Sequence, residues 1–354
     1  MNHRYLTKLA LIALIAGPLG ACSFGGNDAD EPLDTLFRGV NFVGVSVSNM
    51  DRSVALYNKS VDLTAVKAEA VANSPALDKF AGRPGVQAET QIMKSVNAQL
   101  VLMEFAKEPG HEHEPNSMQV YGPGIAHVCY QVNSETRAYQ NFLEGGASHI
   151  GDREMVQLNE RNPVEYAYAR DQDGTIFEVE HVDFTKIDRP DPPKHHYRIR
   201  HVSLATSDMD RLVDFYSILF QQLKPRRAGN LLAMSNEKID RVSGETDSKI
   251  EMAWFQIRNL ELELIQYHSH PVEGLAKPKA VDALGYNMIV LEVEDLAAAR
   301  ARFEQAGGEI VSEVESLLGG DVLFGRDPDG NLIGMQVAGA GNVISSQNFV
   351  DNGT

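Results

Sequence analysis

The sequence is poor in three features, and each shortage excludes a class of protein. Its 354 residues include only two cysteines, Cys22 and Cys129, so a network of disulfides cannot hold the fold together. Basic residues are too few, 32 against 49 acidic ones, and the formal charge of −17 argues against nucleic acid as a partner. The apolar run at residues 9–19 is too short to cross roughly 30 Å of hydrocarbon as a lasting helix.

What is present indicates an exported globular protein. Arg4 and Lys8 precede the apolar run, and Gly20, Ala21 and Cys22 follow it, which is the layout of a secretory signal. Leu-Gly-Ala-Cys resembles the bacterial lipobox, and this resemblance implies that residues 1–22 are a signal peptide and that Cys22 is lipidated. Ser23 after the cysteine then favours the outer membrane, facing the periplasm.

The rest of the chain divides into a tether and a duplicated body. Residues 23–36 lack apolar periodicity and are expected to form a flexible tether, so the protein would be anchored to a membrane rather than span it. The length of the chain suggests two domains of about 150 residues each. We predict a domain at 37–184, a proline-rich linker at 185–198, a second domain at 199–340 and a tail at 341–354.

An internal repeat organises the body. Residues 42–57 (FVGVSVSNMDRSVALY) and 201–216 (HVSLATSDMDRLVDFY) are identical at seven of sixteen positions, with an offset of 159. Each begins with the alternation of a half-buried strand, and Asn49 or Asp208 is then expected to cap a helix. The strings at 170–180 and 326–336 share an Asp-Gly turn that predicts a strand hairpin.

Two further segments, 139–147 and 301–309, are amphipathic and end on glycine pairs, as helices prefer. Each half therefore contains two units in which a strand, a helix and further strands follow one another. The four units are predicted at 37–106, 124–184, 199–268 and 285–340.

These motifs, HVSLATSDMDRLVDFY and RDPDGNLI above all, resemble the modules of the vicinal-oxygen-chelate superfamily, which includes glyoxalases, bleomycin-resistance proteins and extradiol dioxygenases. The resemblance covers residues 38–338. It implies an α+β fold of four βαβββ modules, forming two tandem glyoxalase-like domains with cupped mixed sheets.

The resemblance also implies where a metal would bind. Each module offers one position near the start of its first strand and one on its last strand. Carried over in chain order, these positions are Phe42 and Glu104, His127 and Glu178, His201 and Gln266, and Met288 and Gly334.

Two ways of pairing the modules stay open. Pairing within the halves gives the first half Glu104, His127 and Glu178, with Phe42 in the place of a fourth ligand. Pairing the second module with the third collects His127, Glu178, His201 and Gln266, and the remaining two modules could not hold a metal. His127 and Glu178 belong to both sets, whereas Cys129, two residues after His127, is expected to be a buried inert thiol.

Imidazole and carboxylate groups suit a divalent ion such as Zn, Ni, Fe or Mn, whose identity the sequence leaves open. We therefore expect a metal-dependent glyoxalase- or dioxygenase-type enzyme acting on a small oxygen-rich molecule, with Glu178 or Glu104 moving a proton. Extradiol cleavage fits less well, because that chemistry uses two histidines and one carboxylate, usually in the C-terminal pair of modules, where this chain has only His201 of that set. The alternatives are a metal-free binding protein of the bleomycin-resistance type and a non-catalytic lipoprotein.

Overall fold

The computed structural model describes residues 34–107, 113, 116–158, 163–186, 194–272, 277–338 and 341–349. The predicted signal segment with Cys22, most of the predicted tether and residues 187–193 of the predicted linker lie outside the described residues. No helix in the described ranges is long and apolar enough to cross a membrane.

The repeat seen in the sequence is a repeat of structure. The first module consists of β1 (Phe37–Ser46), α1 (Met50–Val61), β2 (Thr64–Val71), α2 (Pro75–Ala81), β3 (Ala88–Lys94) and β4 (Gln99–Phe105). The third repeats this order with β10 (Tyr197–Ala205), α4 (Met209–Phe220), β11 (Arg226–Ala228), α5 (Glu237–Ser243), β12 (Ile250–Ile257) and β13 (Leu260–Tyr267). The short helices α2 and α5 are additions that the sequence pattern did not predict.

Within the described residues, the second and fourth modules carry a short strand in place of that extra helix. The second consists of β5 (Gly124–Asn133), α3 (Ala138–Glu144), β6 (Ser148–Ile150), β7 (Val156–Gln157), β8 (Val164–Arg170) and β9 (Ile176–Val182). The fourth consists of β14 (Gly285–Val293), α6 (Leu296–Gln305), β15 (Glu309–Ile310), β16 (Glu315–Leu317), β17 (Gly320–Arg326) and β18 (Leu332–Ala338). A 3-10 helix (Ser346–Asn348) follows.

Local signals place these elements as expected. Asn49 accepts a hydrogen bond from the amide of Arg52 at the start of α1, and Asp208 accepts one from Arg211 at the start of α4. Both caps satisfy amides that would otherwise lack partners in the first helical turn. The predicted hairpins are also confirmed, since turns at 171–175 and 327–331 join β8 to β9 and β17 to β18.

The modules pair across the two halves of the chain. One sheet has the strand order β15-β17-β18-β14-β1-β4-β3-β2 and the other β11-β12-β13-β10-β5-β9-β8-β6, with β16 and β7 added beside β17 and β8. Sheet A, as we call the first, joins modules one and four through antiparallel β1 and β14, and sheet B joins modules two and three through β5 and β10. The predicted boundary at 185–198 therefore separates the sequence repeats, whereas each sheet draws on both halves.

Within each half, the two modules are held together by their helices. Tyr57 in α1 donates a hydrogen bond to Asp171 in the β8–β9 turn, and Tyr216 in α4 donates to Asp327 in the β17–β18 turn. Helix α1 also packs against α3, and α4 packs against α6. Each module thus pairs its strands with a module of the other half and packs its helix against the other module of its own half.

Two asparagines join the sheets where the halves meet. Asn97 binds the backbone of Ile199 through both its amide oxygen and its amide nitrogen, and Asn259 binds the backbone of Val40 in the same way. Each also donates to the other's carbonyl oxygen. Both side chains are fully buried, and this reciprocal arrangement shows a pseudo-twofold relation between the halves.

Three apolar cores follow from this architecture. The largest contains side chains from one face of each sheet and from the helices between them, so the sheets are packed back to back. The outer, concave faces form two cups. Cup A, on sheet A, is filled by an apolar cluster, and cup B, on sheet B, has a smaller apolar cluster beside a group of charged residues.

Candidate metal centre

Four ligand-type side chains meet in cup B. They come from the four neighbouring strands β13, β10, β5 and β9, in the centre of sheet B. The four residues, here called the His–Glu cluster, are His127 on β5, Glu178 on β9, His201 on β10 and Glu263 on β13. All are at least nine-tenths buried. Backbone hydrogen bonding between adjacent strands therefore fixes the side chains relative to one another.

The distances within the cluster are those of a coordination site. The Nε2 atoms of His127 and His201 are 3.2 Å apart. The Glu178 carboxylate lies 3.6 Å from Nε2 of His127 and 3.2 Å from Nε2 of His201. The Glu263 carboxylate lies 3.4 Å from each of these nitrogens.

These separations fit a divalent ion held between the four residues. Donor atoms bound tetrahedrally at the usual Zn–N and Zn–O distances lie roughly 3.3–3.6 Å apart. Within the described residues, the ligand atoms of His127, His201 and Glu263 form one group lying within 4.8 Å of one another, and those of Cys129, Glu178 and His201 form another. His201 belongs to both groups and is the centre of the arrangement.

The charges of the cluster favour a cation. Burial by itself lowers the pKa of His127, but hydrogen bonds with Glu178 and Glu263 outweigh burial and raise it to about 9. Burial raises the pKa of Glu178, yet hydrogen bonds with His127 and His201 hold it well below its usual range. A metal ion can take the place of such a tightly held proton, because it binds to neutral imidazoles and ionised carboxylates.

Neighbouring aromatic residues hold the cluster in place. The indole nitrogen of Trp254 donates a 2.8 Å hydrogen bond to Oε1 of Glu263, and the other oxygen of that carboxylate faces the histidines. The ring of Tyr168 packs edge-on against His127, with the ring centres 5.0 Å apart. Such outer contacts orient metal ligands and tune their basicity.

A pocket of about 700 Å³, including space open to solvent, gives access to the cluster. Most of its lining is aliphatic or aromatic, with side chains from β8, β12, β13 and helix α5. Arg226 lines it as well, stacked 3.9 Å from the ring centre of Trp254. The pocket therefore places apolar surface directly beside the ligand-type groups.

The structure brings three of the predicted ligands together and leaves two elsewhere. His127, Glu178 and His201 lie in the cluster. Gln266 instead accepts a hydrogen bond from the amide of Met209 and donates to the carbonyl of Ser207 at the start of α4. Glu104 accepts from the amide of Met50 in the same way at the start of α1. Both residues support helix starts and lie outside the cluster.

Glu263 occupies the ligand position that the family resemblance assigned to Gln266. The two residues are three apart on β13, and an odd separation places side chains on opposite faces of a strand. The alternation in Leu260–Tyr267 (LELELIQY) was a usable signal, because its leucines mark the core face and Glu263 lies on the other one. Cys129 is fully buried as expected, and burial raises the pKa of its thiol well above the usual range.

Cup A has the same strand positions with none of the ligand chemistry. Its four equivalents are Phe42, Val101, Met288 and Gly334. The first three are fully buried in the apolar cluster of that cup. A Cβ at Gly334 would lie 2.9 Å from Val290 and 3.1 Å from Phe324, so the cup is already packed at this point. These residues offer no imidazole or carboxylate to a divalent ion such as Zn or Mn.

Comparisons with known proteins agree with this geometry. Residues 198–335 match the model of the Glyoxalase/Bleomycin resistance protein/Dioxygenase superfamily. Glyoxalase I from Zea mays superposes with a TM-score of 0.57 over 84% of this chain and 92% of its own, at 16% identity. The chain has the glyoxalase fold. A protein from Bacillus subtilis described as a candidate dioxygenase has a TM-score of 0.55 over 89% of this chain and 91% of its own, at 10% identity.

A comparison with curated protein sequences finds no match. The glyoxalase fold is thus shown over most of the described chain, and the sequence match is confined to modules three and four. Identities this low show the fold alone, so support for a particular chemistry comes from the side chains of cup B.

Proposed function

We propose that this protein is a divalent-metal-dependent enzyme of the glyoxalase–dioxygenase type, acting on a small molecule with neighbouring oxygen atoms. The observation that supports this is the convergence of two imidazoles and two carboxylates within 3.2–3.6 Å in a buried pocket. Uncompensated charges are costly to bury, and a cation bound between them removes that cost.

His127, His201, Glu178 and Glu263 would hold the ion. A bound divalent ion would act as a Lewis acid on the substrate oxygens. Glu178 and Glu263 are the groups placed to accept or return a proton, and the hydrogen bond from Trp254 fixes the second of them. The apolar lining of the pocket would exclude water from the substrate.

A dioxygenase reaction is a second candidate, and the pairing of His127 with His201 favours it. Two histidines and one carboxylate are the ligand set of non-haem Fe(II) oxygenases. The module pairing supplies both histidines to one site. Cup B also has an additional carboxylate, so the identity of the metal that gives turnover would separate the two chemistries.

Metal analysis of matched variants tests the proposal. Glu263→Ala and His201→Ala should lose stoichiometric metal, because each removes a proposed ligand. Gln266→Ala and Glu104→Ala should keep it, because these residues bond to helix starts. Stoichiometric metal in Glu263→Ala, or none in the unaltered protein purified without chelator, would rule the proposal out.

Catalytic turnover should depend on the bound metal. Protein stripped with chelator and reloaded with Zn, Ni, Mn or Fe(II) would be assayed against 1,2-dicarbonyl adducts and against catechols. Metal-dependent isomerisation would favour the first chemistry and oxygen uptake with Fe(II) the second. Binding of small molecules that is equal with and without metal would instead support a binding protein.

We further propose that Cys22 is lipidated and anchors the protein to the outer membrane, with cup B facing the periplasm. The lipobox-like string at residues 19–22 and Ser23 support this. Cell fractionation of the unaltered chain and of Cys22→Ser tests it. The unaltered protein should sediment with outer membranes and the variant should be released; membrane retention of the variant would count against the anchor.

A further inference from the structure

A second pocket lies near the starts of β5 and β14, where the loop at residues 116–123 approaches sheet A. Its volume is about 1050 Å³, including space open to solvent, and it shares no described lining residue with the pocket of cup B. Lys279 and Arg326 both line it. None of the described lining residues is acidic, although the carboxylates of Glu309 and Asp327 lie close enough to act on Arg326.

Lys279 is held in place without a counter-ion. Its ammonium group donates hydrogen bonds to the carbonyls of Leu284 (2.7 Å) and Tyr286 (3.1 Å). An ammonium has three N–H donors, so one remains for another acceptor. No described carboxylate forms an ion pair with it, and burial lowers its pKa to about 8. A bound anion would relieve the cost of burying this charge.

Asn116 supplies a second donor at the same point. Its Oδ1 accepts from the amide of Met118, which turns Nδ2 the other way. Nδ2 is buried and has no hydrogen-bond partner among the described residues. A buried amide nitrogen without a partner is rare, and its desolvation is costly unless a ligand accepts from it.

The two donors converge beside Gly285. A Cβ at this glycine would lie 2.5 Å from Nδ2 of Asn116 and 3.1 Å from Nζ of Lys279. Because Gly285 has no side chain, both nitrogens can lie close to it, and both residues line the pocket. Arg326 uses one guanidinium nitrogen on the carbonyl of Gly330 at 2.7 Å, and the guanidinium has further N–H groups available.

We propose that this pocket binds a small organic carboxylate through Lys279, Asn116 and Arg326. A carboxylate accepts several charge-assisted hydrogen bonds at once. Met118, Ile125, Leu284 and Leu332 supply apolar surface beside these donors, and that surface favours an organic anion over inorganic phosphate. The site requires no metal and is independent of the function proposed for cup B.

Calorimetric titration of the chelator-treated full chain tests the proposal, with benzoate as the probe. Benzamide, its neutral counterpart, and inorganic phosphate are the comparison ligands. We expect benzoate to bind more tightly than either. Lys279→Met should weaken benzoate by about tenfold or more, since it removes a charge-assisted hydrogen bond. Lys277→Met, which alters an exposed lysine two residues away, should leave binding unchanged.

Further variants test the same site if the first one cannot be used. If Lys279→Met fails to fold, Asn116→Leu and Arg326→Met should each weaken benzoate, and Arg226→Met, in the other pocket, should not. Absence of benzoate binding, equal binding of benzamide or phosphate, or full affinity in the folded variants would each overturn the proposal.

Discussion

Cups A and B are built by the same strands in the same order, yet only in cup B do imidazole and carboxylate groups occupy the four central positions. At four equivalent positions, cup B has His201, Glu263, His127 and Glu178 where cup A has Phe42, Val101, Met288 and Gly334. Cup A is packed like an ordinary protein interior, and cup B keeps a pocket beside its charges. The backbone thus determines where four side chains meet, and the residue types determine what can happen there.

The largest effect is expected from exchanging one residue between the cups. Val101→Glu would bury a carboxylate among apolar side chains, which should lower the free energy of unfolding by at least about 3 kcal/mol. Glu263→Val should weaken metal binding on the order of a hundredfold to a thousandfold through the loss of one proposed ligand. Urea unfolding and metal titration would measure the two effects.

The two changes act as controls for each other. With chelator present, Glu263→Val should destabilise less than Val101→Glu. It removes the attraction of the histidines that keeps the pKa of Glu263 low, but also the repulsion from Glu178, whereas Val101→Glu adds a carboxylate with no partner. If both changes had the same effect on stability, the two cups would not differ in how well they tolerate a buried carboxylate.

A pH-dependent difference should come from His181, whose equivalent on sheet A is Val337. Burial lowers the pKa of His181 to about 4. The unfolded chain therefore binds more protons than the folded one between about pH 6.5 and 4, and this residue makes stability fall as the pH drops through that range. The contribution is up to about 3 kcal/mol.

Unfolding of His181→Val at pH 7 and at pH 4.5 would test this. Relative to the unaltered protein, the variant should gain stability at the lower pH. A difference between the two proteins that stays constant over this range would contradict the low pKa.

The smallest effect is expected at Trp254, whose equivalent in cup A is Ile92. Trp254→Phe keeps an aromatic ring but removes the hydrogen bond to Glu263. Metal affinity should fall roughly 10- to 100-fold, as is usual when an outer-shell contact is lost. Ile92→Phe is the matched change in cup A, and it should leave metal affinity unaltered. An undiminished affinity in Trp254→Phe would mean that the indole does not position the carboxylate.

Much of the fold could be predicted because its signals are local. The caps Asn49 and Asp208, the Asp-Gly turns and the glycine pairs after α3 and α6 each act over a few residues. Helices α2 and α5 were missed although both carry local signals: each begins after a capping residue, Ser74 or Asn236, and ends at a glycine, Gly82 or Gly244.

The site was predicted less completely for a different reason. His127, Glu178 and His201 lie on strands whose register follows from a nearby helix or hairpin. The family resemblance assigned the ligand position on this strand to Gln266. That position is three residues from Glu263, so the expected ligand lies on the opposite face of the strand. The alternation along β13 puts Glu263 on the cup face, and the observed pairing of β13 with β10 brings it beside the histidines.

By itself, the sequence predicted four strand–helix modules and named two histidines as candidate metal ligands. The tertiary structure alone decided that the second module pairs with the third and the first with the fourth. All four modules begin with similar apolar strands, and the backbone hydrogen bonds between such strands do not depend on residue type. The choice of partner therefore depends on contacts between distant residues, such as the buried Asn97 and Asn259, and that choice brings His127 to His201.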